Sequence, residues 1–273
     1  MTTIDGNTLE GVSATTLWTL HNRGTEAKRS DGVIRDPWAV TLLDAIDYDY
    51  LKFGKPNQSH GLRAVAFDAV MRDYLEGHPG ASVVALAEGL QSSFWRLDRE
   101  GVLDGSKWYS IDLPPVMDLR RDLLPSDDRI VALAQSALDL SWMDEVDSSR
   151  GVFITAEGLL MYLEPDDALG LIRDCAARFP GGRMMFDSIP RWFSNRTLTG
   201  FKLSDRYITP PMPFAQTVEE ALALAGRIPG VKAARDVPWP PGRGWFKLAA
   251  WPALERIGPY RRNRPSNTVL EFA

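Results

Sequence analysis

The sequence has a single cysteine, Cys175, and three histidines in 273 residues. One thiol closes no internal disulfide and builds no cysteine-rich metal site. Cys175 falls in a helical pattern over residues 169–179, where a buried core thiol is expected. His21, His60 and His78 are too scattered in sequence to mark a metal centre, and no metal is expected. No apolar run is long enough to span a bilayer. Residues 1–10 are polar and carry acid, unlike a secretory signal, so a cytoplasmic protein without a membrane partner is expected. Basic charge is in the minority, 31 Lys and Arg against 36 Asp and Glu, and the net charge of −5 argues against a nucleic-acid partner. The one basic cluster, Tyr260-Arg261-Arg262-Asn263-Arg264, reads as a solvated turn before the last strand. Internal repeats and low-complexity linkers are also missing.

What is present suits a globular α/β chain: 44% hydrophobic and 25% charged residues supply a substantial core. Helices are predicted over 13–29, over 37–46 after the cap-like Asp36-Pro37, and over 62–77. The last has Val65, Ala69, Tyr74 and Leu75 roughly on one face. The period then changes. Ser82-Val83-Val84-Ala85-Leu86 is a short apolar run of the kind buried on both faces of a sheet. Further strands are predicted at 107–111, 129–134, 151–155 and 183–187, with helical segments between several of them. This alternation implies a parallel sheet flanked by helices, because parallel neighbours need long crossovers. After Asp187 the rhythm breaks into an aromatic and basic stretch, residues 190–213, either a lid or a decorative insertion. Strands at 231–237 and 268–272 follow. The chain is read as one domain: a helical cap (1–61), a cofactor-binding core (62–189), a lid or substrate insertion (190–230) and a closing part of the sheet (231–273).

Open α/β sheets bind ligands beyond the carboxyl ends of their strands. The first strand ends in Ala87-Glu88-Gly89, where a glycine lets a ligand approach the backbone. The second ends in Asp112, 23 residues beyond Gly89. A carboxylate there can accept both hydroxyls of a ribose, or cap the helix beginning at Pro114. Together they point to an adenosine-containing cofactor. A dinucleotide wants G-x-G-x-x-G against its pyrophosphate, and this chain has Ala87-Glu88-Gly89-Leu90-Gln91-Ser92, whose glutamate opposes an anion. A sulfonium cofactor tolerates a carboxylate. A nicotinamide-dependent oxidoreductase is therefore the weaker reading.

The chain resembles the leucine carboxyl methyltransferase superfamily, and within it the bacterial O-methyltransferases of polyketide biosynthesis. The resemblance is carried by residues 9–15, Ile34-Arg35-Asp36-Pro37, residues 62–68, residues 83–96, Asp112-Leu113-Pro114, Ser136-Ala137-Leu138-Asp139, residues 156–163 and Phe179-Pro180-Gly181-Gly182. It implies a Rossmann-like class I fold with a mostly parallel seven-stranded sheet, N-terminal helices and a lid after the fifth strand. It also implies S-adenosyl-L-methionine as cofactor, with S-adenosyl-L-homocysteine as product. Arg63 is expected to pair with the carboxylate of the cofactor's methionine part. Ala87, Glu88 and Gly89 lie against the cofactor, Asp112 and Leu113 hold the ribose, and Ala137, Leu138 and Asp139 flank the adenine. Glu157 sits near the amino group or the reaction centre, and is paired with Tyr162 as a candidate catalytic residue. Relatives usually carry glycine at the position of Ala87 and an acid at that of Gln91. The methyl of Ala87 is harmless only if φ is negative there, and the two departures motivate an alternative, a non-catalytic binding module of the same fold.

The expected activity is O-methylation of a carboxyl or phenolic oxygen on a small, aromatic or polyketide-like molecule. Arg191, Trp192 and Tyr207 are the candidate substrate contacts, with Arg206 a further cation for an acidic acceptor. The wall of aromatics suits a stacked ligand. No histidine base stands out, which favours an acceptor that ionises on its own. The sequence leaves monomer and homodimer equally open.

Overall fold

The computed structural model describes residues 4–249 and 252–273. Its N-terminal part is helical, with α1 (Thr15–Ala27), α2 (Pro37–Ala45) and α3 (Ser59–Gly77), and two short strands, β1 (Ile4–Asp5) and β2 (Ile46–Asp47), pair in parallel beside them. Asp36 caps α2 by accepting the Ala39 amide, and Pro37 sits in its first turn. The alternating region then gives β3 (Ser82–Leu86), α4 (Ser93–Arg99), β4 (Trp108–Asp112), α5 (Pro114–Leu123), β5 (Ile130–Ala134), α6 (Trp142–Glu145), β6 (Val152–Ala156), α7 (Pro165–Arg178) and β7 (Arg183–Ser188). The remainder holds α8 (Arg191–Leu198), the hairpin β8 (Lys202–Ser204) and β9 (Tyr207–Ile208), α9 (Val218–Leu222), α10 (Leu224–Arg227), β10 (Val231–Asp236), α11 (Trp245–Ala249), α12 (Gly258–Asn263) and β11 (Ser266–Phe272).

The central sheet has seven strands in the order β10-β11-β7-β6-β3-β4-β5, parallel from β7 to β5, with β11 antiparallel to both neighbours. This is the expected Rossmann-like architecture. Period-two alternation buries β3 on both faces. Val84 and Leu86 pack with Leu171, Ile172 and Cys175 of α7, whereas Val83 and Ala85 pack with Phe67, Met71 and Tyr74 of α3. The order reverses beside β3, since the chain runs outward through β4 and β5 and returns to β6. Ligand crevices form at such points.

Two expectations need correction. Helix α3 is buried nearly all round, so the predicted face misplaces Ala69, which is exposed. The reason is that α3 lies between the sheet and the N-terminal helices. The Tyr260 to Arg264 cluster is mostly helix, and Arg264 is buried against Asp236 and Glu255. Residues 190–230 form α8, a hairpin and two short helices, with an irregular stretch at 209–217, and the hairpin rests on the N-terminal part, with Tyr207 edge-on to Phe53 and Arg206 paired to Asp49.

A buried charge network ties the N-terminal helices to the core. Asp36 accepts from Arg23 at 3.0 Å and from Arg96 at 2.6 Å, and Arg96 also binds Asp68. Two cations and two carboxylates balance there. Asp68 is thus an interior ion-pair partner, not a charge on a helix surface.

Candidate active site

A cavity of about 490 Å³ opens at the carboxyl ends of β3, β4, β6 and β7, a size usual for small-molecule sites. Its floor is the loop after β3. Gly89 has φ +60°, and a Cβ there would lie 2.5 Å from Thr16 Oγ1, which already accepts the Leu90 amide. Only glycine fits. Ala87 has φ +47° and is the one non-glycine residue with positive φ among the described residues. The condition of a negative φ therefore fails. Strained backbone of this kind concentrates at functional sites.

Asp112 is buried and accepts from the amides of Gly89 at 2.6 Å and Leu113 at 2.7 Å. Helix α5 starts without a side-chain cap, so the capping alternative is overturned. Burial raises the Asp112 pKa against the pull of those two amides. Glu88 borders the cavity, but its carboxylate turns inward to Ser110, Trp108 and Arg120, the last at 2.8 Å. Its charge is paired, so it opposes an anion less than the sequence suggests.

Between β6, β7 and α3 lies a second charged group. Arg63 donates through Nε to Glu157 at 3.0 Å and through Nη1 to Asp187 at 2.8 Å. Arg63, expected to pair with the cofactor's carboxylate, is also held by two carboxylates of its own chain, because α3 crosses directly over the ends of β6 and β7. Its Nη2 makes no hydrogen bond to a described residue. Burial, reinforced by nearby Asp187, raises the Glu157 pKa against the pull of Arg63. Gln91 donates from Nε2 to Glu157 at 2.5 Å, and its Oε1 is a buried acceptor without a partner among the described residues. An acid at this position would place another carboxylate against Glu157; the amide avoids that repulsion and keeps an acceptor.

The other end of the cavity is apolar and aromatic. Trp18, Tyr162, Trp192, Phe193, Met212 and Trp239 line it. Burial raises the Tyr162 phenol to about 12, so it is a neutral donor at ordinary pH. Ala137, Leu138 and Leu113 lie on the wall at the opposite end. Four expected site residues stand outside, among them Arg206, which pairs with Asp49 on the surface. Asp139 is exposed and accepts the Ser141 amide. Arg191 points to solvent, paired with Glu220, because the first turn of α8 presents its Trp192 and Phe193 side to the cavity. Tyr207 packs on Phe53 instead of the wall. Conversely, His60 lines the cavity, and nothing in its sequence neighbourhood marks it. Its pKa is held well below the usual value by burial and by the cations Arg63 and Arg23.

The arrangement fits a cationic adenosyl cofactor. Arg63 is outnumbered by Glu157 and Asp187, Asp112 adds a further carboxylate, and the orphaned Gln91 Oε1 offers an acceptor to an ammonium. The φ of Gly89 leaves open the backbone approach that a ribose needs.

Residues 16–176 match the leucine carboxyl methyltransferase family. Tetracenomycin polyketide synthesis O-methyltransferase TcmP of Streptomyces glaucescens is 32% identical over 270 residues, covering 97% of this chain and 95% of that protein. The S-adenosyl-L-methionine-dependent methyltransferase dpfgK of Gibberella zeae is 26% identical over 66% of this chain and 67% of its own length. Among solved structures, a Thermobifida fusca protein described as a methyltransferase shares the fold at TM-score 0.57 and 17% identity, covering 95% of this chain and 97% of that one. The chain therefore belongs to the leucine carboxyl methyltransferase family and is an S-adenosylmethionine-dependent methyltransferase.

Proposed function

We propose that this enzyme methylates a carboxyl or phenolic oxygen of a small aromatic molecule. The supporting observation is the continuity of one cavity from the Asp112 carboxylate to an aromatic and thioether wall of Trp18, Trp192, Phe193 and Met212. A planar ring stacks well against such a wall. The similarity to a polyketide O-methyltransferase over nearly the whole chain supports the same substrate class.

In this reading the cofactor supplies an electrophilic methyl group. Asp112 accepts the ribose hydroxyls, with Leu113 beside it. Ala87 and Gly89 offer backbone contact, and Ala137 and Leu138 flank the adenine. Arg63 Nη2 meets the methionine carboxylate while Glu157 and Gln91 Oε1 accept the ammonium. Alignment of the acceptor oxygen by the aromatic wall then supplies most of the rate, since in-line displacement depends on orientation. Trp192 and Tyr162 are the contacts carried forward from the sequence; Arg191 and Tyr207 are not. Residues 190–230 act as the substrate-side wall, and the enzyme works in the cytoplasm on a free small molecule.

The test is incubation with methyl-labelled S-adenosylmethionine and a panel of aromatic acids and phenols. Labelled product released by mild base is a methyl ester, and label that resists base is an ether. Label in neither class, with cofactor bound, contradicts the reading.

A further inference from the structure

Residues 191–264 carry 13 Lys and Arg against 5 Asp and Glu, a net charge of +8, whereas the rest of the chain carries 18 against 31, a net charge of −13. So steep a partition of charge marks a surface for an anionic partner. The excess is free charge. Glu219, Glu220, Asp236 and Glu255 are all taken up by Arg261, Arg191 and Arg264 of the same segment. Arg196, Lys247, Arg256 and Arg262 are exposed and form no ion pair among the described residues.

Apolar surface is concentrated in the same place. Six of the ten large apolar side chains exposed among the described residues belong to this segment, far more than its share of the chain, and Trp245 is the most open at 82%. Patches of that kind mark interaction sites. Printed contacts join the parts. Trp192 of α8 donates through Nε1 to the Asn263 carbonyl of α12 at 3.0 Å, and Arg196 lies over the Trp192 ring at 5.6 Å. Arg256 and Ile257 form the turn that enters α12, and Arg262 stands near its end. Trp245, Lys247 and Leu248 belong to α11, which follows the loop of Trp239. Trp192, Trp239 and Pro265 all border the cavity, so α8, the end of α12 and the loop into α11 meet at its aromatic end.

We propose that this face docks on an anionic membrane surface, with Trp245, Leu248 and Ile257 entering the headgroup boundary while the four free cations meet lipid headgroups. Apolar insertion and basic charge are each weak alone, and together they give a stable peripheral contact. Tryptophan favours that boundary, and the apolar stems of Lys and Arg lie along it while their charged ends reach the headgroups. An acidic protein needs a carboxylate placed against each cation, whereas lipid headgroups diffuse to wherever the cations stand. Single apolar side chains set among cations on short helices and turns therefore favour the lipid surface. The −13 carried elsewhere is repelled by the same membrane and fixes which face docks. No helix among the described residues is long and apolar enough to cross a bilayer, and a peripheral contact needs none. The expectation of no membrane partner follows from spans and leader segments alone; the distribution of charge is a separate signal.

Flotation of the full chain with vesicles tests this, using phosphatidylcholine alone or mixed with about 30% phosphatidylserine, at about 0.1 M and about 0.5 M salt. Binding to the anionic vesicles is expected at low salt, at least about tenfold stronger than to phosphatidylcholine alone, and weaker at high salt. Arg262→Glu is expected to weaken it about tenfold or more, and Trp245→Ala about threefold or more. Arg99→Glu makes the same charge change at the exposed end of α4 and is expected to stay within about threefold of the wild type. All three side chains are exposed, and melting temperatures check that the variants stay folded. No binding to the anionic vesicles, equal binding to both kinds, wild-type binding by Arg262→Glu or Trp245→Ala, or an equal loss in Arg99→Glu each overturns the proposal. Without vesicle binding, salt-sensitive self-association in sedimentation would assign the face to a second copy, and binding to poly-glutamate would assign it to an acidic macromolecule in solution; both overturn it.

Discussion

The amide N–H of Gly89 donates to Oδ2 of Asp112 at 2.6 Å, so the glycine loop after β3 and the carboxylate ending β4 are held as one unit. The pair spans the two parallel neighbours of the sheet on one side of its switch point. Gly89→Ala breaks this unit twice, through its φ of +60° and through contact with Thr16. A loss of about 2 kcal/mol in stability is expected, together with weakened S-adenosylmethionine binding. Urea unfolding and calorimetry check the two effects, and wild-type behaviour in both would remove the loop from the account.

Ala87 makes the opposite prediction. At φ +47° an alanine is strained and a glycine is not. Ala87→Gly is expected to stabilise the fold by about 1 kcal/mol, raising the melting temperature by a few degrees. It should also leave cofactor affinity equal or higher. A lower melting temperature would mean that the methyl's packing outweighs its backbone strain.

The Asp36 network carries the largest stability effect. Asp36→Ala leaves Arg23 and Arg96 buried without their shared carboxylate. Breaking one side of a buried ion-pair group costs about 3–5 kcal/mol. Urea unfolding should show that loss; a change below about 1 kcal/mol would mean that water reaches the arginines.

His60 gives stability a pH dependence of definite sign. Its folded pKa lies below its unfolded value, so the unfolded chain binds more protons below about pH 6.5. Stability is full above that pH and falls below it, by up to about 1.4 kcal/mol per pH unit for one such group. His21, also lowered by burial, acts in the same direction. Melting temperatures between pH 7.5 and 5.5 should therefore fall less in His60→Gln than in the wild type. Equal slopes would place the His60 pKa at its ordinary value.

The strands were legible because burial on both faces demands an unbroken apolar run, as at Val83 to Leu86, and Gly89 and Asp112 were legible because they end such runs. Backbone angles are not written in residue type, which is why Ala87 could be named as a departure but not as a strained one. Contacts between distant segments were hidden for a different reason. His60 reaches the wall only because α1 packs over the start of α3, and Arg63 meets two carboxylates only because β6 and β7 end beneath it. Arg191 and Tyr207 sit in the right segment, yet the turn of α8 and the docking of the hairpin on Phe53 direct them elsewhere. Of the aromatic residues in 190–213, Trp192 and Phe193 line the cavity whereas Tyr207 does not.

The most direct measurement is calorimetric titration of the wild type and Asp112→Ala with S-adenosylmethionine and with S-adenosylhomocysteine. The account predicts wild-type dissociation constants on the order of micromolar and a loss of at least about thirtyfold in the variant, as two ribose hydroxyls lose a charged acceptor. Folded wild-type protein that binds neither ligand, or an Asp112→Ala variant that binds both as well as the wild type does, would contradict it.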